Sequence, residues 1–141
     1  MELIDAQNQL VTAIARVAPA SGWEQIVADV EVEEGREGYR IDSVTFAIVR
    51  SSSGDYSDPQ FDLDRGARER IVDLYKTQRT RPGQAGISGF QLQIESDGKY
   101  RFDYNYGRPK RLNGEWDAEK EERLDNYLQT YLESLGTSPK G

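Results

Sequence analysis

Cysteine and histidine are both absent from these 141 residues, and methionine occurs once. Without cysteine there is no disulfide, no thiolate nucleophile and no sulfur-ligated zinc. Without histidine the chain lacks the commonest general base near neutral pH. Carboxylate, lysine, tyrosine and serine chemistry stay open, but the expectation is a protein that is not an enzyme. No apolar run approaches the roughly 20 residues of a membrane span. Met1-Glu2 opens no basic leader, so no secretory signal is expected and cytoplasmic residence is the default. Walker-type and dinucleotide-binding glycine patterns are missing too, and no cofactor is expected.

What the chain does have is acid. Asp and Glu number 25 against 18 Lys and Arg, for a net charge of −7. Such a domain repels nucleic-acid phosphates and is attracted to a basic protein surface. Its length suits one domain with a sizeable core, since a chain of this size buries roughly 70% of its extended surface.

The segment Phe90 to Tyr106 reads as a β-hairpin. Apolar residues occupy the even positions in both arms: Phe90, Leu92 and Ile94, then Tyr100, Phe102, Tyr104 and Tyr106. A two-residue Asp97-Gly98 loop would set apolar groups against charges on both faces. A three-residue Ser96-Asp97-Gly98 loop pairs Ile94 with Tyr100, Leu92 with Phe102 and Phe90 with Tyr104, leaving one face wholly apolar. The other face then sets Gln93 against Arg101 and Gln91 against Asp103. A slip of one residue would turn every side chain over, so the second register is predicted. Gly98 takes the left-handed position of its bulged turn.

Elsewhere, residues 2 to 18 carry an amphipathic helical stripe ended by Pro19, Ser21 and Gly22. Strands are predicted over 23–34 and 39–50, the second apolar on both faces in its middle and so covered on both sides or at a subunit contact. A helix is predicted over 65–80 and another over 118–135, the latter capped by Asp117. The loop 107–115 carries Arg108, Lys110 and Arg111 and reads as solvated. The fold class is α+β: one domain over 1–136, order α-β-β-α-β-β-α, with an antiparallel sheet of about four strands and helices mainly on one face. Residues 137–141 are expected to be a mobile tail.

Two regions are candidates for binding a partner. The loop from Ser51 to Asp64 holds Asp55, Tyr56, Asp58, Asp62 and Asp64, a composition suited to gripping a basic surface. Asp62-Leu63-Asp64-Arg65-Gly66 lacks the third acidic position and closing Glu of a calcium loop, and Asp62 or Asp64 also suits the cap of the next helix. The polar side of the hairpin supplies Gln91, Gln93, Arg101, Asp103 and Asn105, and Tyr106 joins them as a tyrosine flanking an irregular segment. Cross-strand pairing accounts for its charges more simply than an acid/base pair does.

The run GKYRFDYNYGRPKR, with Gly98, Tyr100, Phe102, Tyr104 and Tyr106 in alternation and Trp116 before the last helix, resembles the YezG-like immunity proteins of bacterial polymorphic toxin systems. The resemblance covers residues 20 to 135. It implies an antitoxin of the contact-dependent growth inhibition type, which binds and neutralises a cognate C-terminal toxin domain, often a nuclease. The rival readings are a non-catalytic adaptor domain unrelated to toxins and a carboxylate-dependent enzyme.

Overall fold

The computed structural model describes residues 2–19 and 22–136. Ser21 and the tail 137–141 lie outside the described residues.

Helix α1 (Leu3–Val17) forms where the apolar stripe places Ala6, Leu10 and Ile14 on one side, and all three are buried. Asp5 lies in its first turn, at the positive end of the helix dipole. A long hairpin follows, β1 (Trp23–Gly35) and β2 (Gly38–Arg50), turned by Arg36 and Glu37 with Gly38 at φ 134°. Next come the short β3 (Tyr56–Ser57), helix α2 (Arg65–Arg79) and the hairpin β4 (Ile87–Glu95) and β5 (Tyr100–Tyr106). A 3-10 turn at Arg111–Asn113 leads into α3 (Ala118–Asp125) and α4 (Tyr127–Ser134). The sheet is antiparallel, in the order β3-β2-β1-β4-β5.

The second hairpin has the register its alternation demands: Ile94 faces Tyr100, Leu92 faces Phe102, Phe90 faces Tyr104 and Gln91 faces Asp103. Gly98 sits at φ 92° and donates to Glu95 O, closing the three-residue loop.

Because successive strand residues point to opposite faces, β1 divides the molecule. Its even residues Ile26, Ala28, Val30 and Val32 join Leu10, Ile14, Ile71, Leu74 and Phe90 in the main core beneath α1 and α2. Burying each of the Val, Leu, Ile and Phe side chains among them stabilises by roughly 1.5–3 kcal/mol. Its odd residues face the C-terminal helices, where Val27 packs with Phe46, Leu124 and Tyr127.

Three expectations change. The sheet has five strands, because Tyr56–Ser57 pairs with Val49–Arg50. Helices cover both faces, with α1 and α2 on one side and α3 and α4 on the other. The last helix breaks at Asn126 (φ −97°, ψ 8°), the residue that separates α3 from α4.

Candidate partner-binding site

The face of the sheet beneath α3 and α4 is unusually polar for a covered surface. Gln25, Asp29 and Glu31 on β1 are all buried there. Burying a carboxylate is costly unless it is paired and hydrogen-bonded, and the segment after β5 supplies those partners. Arg111 donates to Asp29 Oδ1 at 2.9 Å, to the Asp29 carbonyl at 3.2 Å and to Asp42. Lys120 Nζ lies 3.0 Å from Asp29 and 3.4 Å from Glu31. The Leu112 backbone N–H donates to Glu31 at 3.1 Å. Burial works against the charge of Arg111, but Asp29 and Asp42 outweigh it and push its pKa up. The expected solvated loop is therefore half wrong. Arg108 and Lys110 are exposed and pair with Glu115 and Asp117, whereas Arg111 is the keystone of a buried ionic cluster.

Beside this cluster, tyrosines fasten α4 to the sheet. Tyr127 donates to Gln25 at 2.6 Å and Tyr131 donates to Glu24 at 3.0 Å. Burial, with the Glu95 carboxylate adding to it, pushes the Tyr127 phenol up to about 12. Burial and the bond to Glu24 push Tyr131 further up.

Helix α3 stands over the sheet with a groove on either flank, and Leu124 touches both. On the hairpin side a cleft of about 560 Å³ has Asp29, Glu31 and Ser88 in its wall. Asp103, Asn105 and Tyr106 line it opposite Lys120 and Arg123, so its charge is mixed. On the β3 side a groove of about 520 Å³ is lined by four carboxylates, Asp58, Asp62, Glu121 and Asp125, and by no lysine or arginine. Among the described residues, no cation lies within 4.0 Å of Asp58, Asp62 or Asp125.

The residues singled out in the sequence thus fall into separate places. Asp58 and Asp62 come together in the acidic groove. Asp55 is exposed nearby and accepts from Ser53 at 3.2 Å. Tyr56 is half-buried, bonded to Glu24 at 3.3 Å, with Arg50 over its ring. Asp64 is the N-cap of α2, accepting from the Ala67 N–H at 2.8 Å. Asp103, Asn105 and Tyr106 line the other cleft, while Arg101 pairs with Asp103 along β5 at 3.2 Å. The two candidate regions are therefore not one surface, since α3 divides them.

Glu121 and Asp125 were missed. The i, i+4 spacing of these two acids on the last helix was the available signal, since it places them on one helical flank. Among the described residues, no cluster of three metal-ligating side chains occurs and no helix is long and apolar enough to cross a membrane.

The arrangement defines an α+β domain with a five-stranded antiparallel sheet, helices on both faces and a carboxylate-lined groove at the β3 side. No known protein-family model and no curated protein matches the chain.

Proposed function

We propose that this chain is an immunity protein. In this reading it binds a cognate toxin domain in the cytoplasm and neutralises it by forming a complex, with no catalytic step of its own. The observation that carries the reading is the groove of Asp58, Asp62, Glu121 and Asp125, four carboxylates without a lining cation. Among the described residues, Glu121 alone of the four has a cation within 4.0 Å, Arg111 at 3.8 Å, whereas Glu33 pairs with Arg40 and Glu34 with Arg79 on other parts of the surface. Crowding like charges around one groove raises the local potential, and a basic partner entering it relieves that repulsion. A nuclease domain has such a basic surface, because it must bind phosphates. The resemblance of the Gly98–Tyr106 strand to YezG-like immunity proteins points to the same class of partner.

Mixing the purified protein with the toxin domain encoded beside it tests the reading. A stable complex should form at micromolar concentration. Its association rate should fall with added salt and by about tenfold in the variant Asp58→Asn/Asp62→Asn/Asp125→Asn. The absence of a complex, or of a neighbouring toxin gene, would favour an adaptor unrelated to toxins.

A further inference from the structure

The two edges of the sheet are finished differently. At one edge, β2 is covered by the segment 56–61. Tyr56 and Ser57 pair with it, Ala47 donates to the Pro59 carbonyl at 3.0 Å and Phe61 donates to the Thr45 carbonyl at 3.1 Å. At the other edge lies β5, seven residues long, without proline. Glu95 N donates to Lys99 O at 2.8 Å, which makes 95·99 a hydrogen-bonded pair of the hairpin. Such pairs alternate along an antiparallel ladder. The odd residues Arg101, Asp103 and Asn105 therefore turn their backbone groups to β4. Tyr100, Phe102 and Tyr104 turn theirs outward, and among the described residues those groups meet no other segment. An uncovered strand edge is a template for another strand.

The side chains along that edge are self-complementary. We propose that two copies of this chain join through β5, antiparallel about a twofold axis at Phe102, so that the sheet runs from one subunit into the other. The parity is right, because the outward-facing residues 100, 102 and 104 of one copy meet 104, 102 and 100 of the other. About six backbone hydrogen bonds form. On one face Arg101 lies opposite Asp103 of the second copy and Asp103 opposite its Arg101. Together with the 3.2 Å pair within each strand, that gives a ring of four alternating charges. On the other face the half-buried row Tyr100, Phe102 and Tyr104, in which the last two rings stack at 5.8 Å, continues into its own copy.

Helix α1 supplies the rest of the surface. Gln9 accepts from Arg70 of α2 at 3.1 Å, which fixes the flank of α1 that faces α2. At about 100° per residue, Val11 and Ala15 fall on the opposite flank. On the same side of α1 as that flank, Gln7 donates to Tyr104 and Asn8 accepts from Tyr100, at 2.7 and 2.6 Å. Ile4, 54% exposed at the start of the helix, lines a shallow groove with Thr77 and Arg81 and extends the apolar surface there. The two tyrosine bonds make the strand edge and this flank neighbours, so both contribute to an interface of about 1,200 Å² or more, the area that specific association buries. The acidic groove lies across α3 from this edge and stays open in each subunit, so the proposal does not rest on the immunity reading.

Sedimentation equilibrium of the full chain from about 1 µM to about 200 µM tests it, with amide hydrogen exchange at both ends of that range. The expected result is a dimer whose Tyr100, Phe102 and Tyr104 amides gain protection with concentration, while those of Arg101 and Asp103 are protected throughout. Arg101→Asp and Asp103→Arg each create like-charge pairs across the axis and should weaken the dimer about tenfold. The double variant Arg101→Asp/Asp103→Arg should restore it. A monomer at the highest concentration overturns the proposal. So does a dimer indifferent to the single variants, or edge amides that gain protection only when another protein is added.

Discussion

Replacing Arg111 with methionine keeps most of the side-chain volume and removes the charge that Asp29 and Glu31 depend on. The Arg111 side chain is 14% exposed and the Asp29 side chain 4%, so solvent screens the pair little. Breaking a buried ion pair from one side costs about 3–5 kcal/mol, because the remaining charge stays buried. Lys120, 3.0 Å from Asp29, continues to compensate, which places the expectation near the lower end, about 3 kcal/mol. With a urea slope of about 2 kcal/mol/M, the unfolding midpoint should fall by about 1.5 M. A loss below about 1 kcal/mol would refute the claim that Arg111 neutralises the buried carboxylates.

Three further perturbations test separate parts of the structure. A Cβ added at Gly89 would lie 2.1 Å from the Val30 carbonyl oxygen, a backbone clash that no rotamer relieves. Gly89→Ala should therefore disturb the pairing of β1 with β4, read as lost amide protection at Val30 and Glu31. A variant with the parent's thermal midpoint would contradict that reading. Tyr127, with its phenol pushed up to about 12, keeps its proton in the folded state after the unfolded chain loses it near 10. Its contribution should be complete below pH 10 and lost as pH rises through 12, and Tyr127→Phe should flatten that slope in alkaline denaturation. Asp64→Ala should lower stability by about 1 kcal/mol through loss of the α2 cap and leave partner binding unchanged. Weakened binding at parental stability would return Asp64 to the interface.

The parts of this fold legible in the sequence are those governed by local period and turn chemistry. The β4–β5 register follows from even-position apolar residues and a loop length that keeps one face dry. The helix at 65–79 follows from its stripe and from Asp64. The second helical layer was not legible, because Gln25, Asp29 and Glu31 alternate with apolar residues as a solvated strand face does. Only Arg111 and Lys120, some 80 to 90 positions further along, reveal that this face is buried. A separation of about 60 positions likewise hid the acidic groove, whose carboxylates come from the loop after β3 and from α3. The break at Asn126 escaped notice because Leu124, Tyr127, Leu128 and Tyr131 keep helical spacing across it.

In the proposed immunity complex the groove of Asp58, Asp62, Glu121 and Asp125 receives a basic toxin surface. The decisive measurement is stopped-flow association of the parent and of Asp58→Asn/Asp62→Asn/Asp125→Asn with the neighbouring toxin domain, at low salt and near physiological salt. Fast, salt-sensitive association is expected for the parent. For the variant the expected rate is about tenfold lower at low salt, with the difference shrinking as salt is added. Equal rates for both proteins at low salt would contradict this docking.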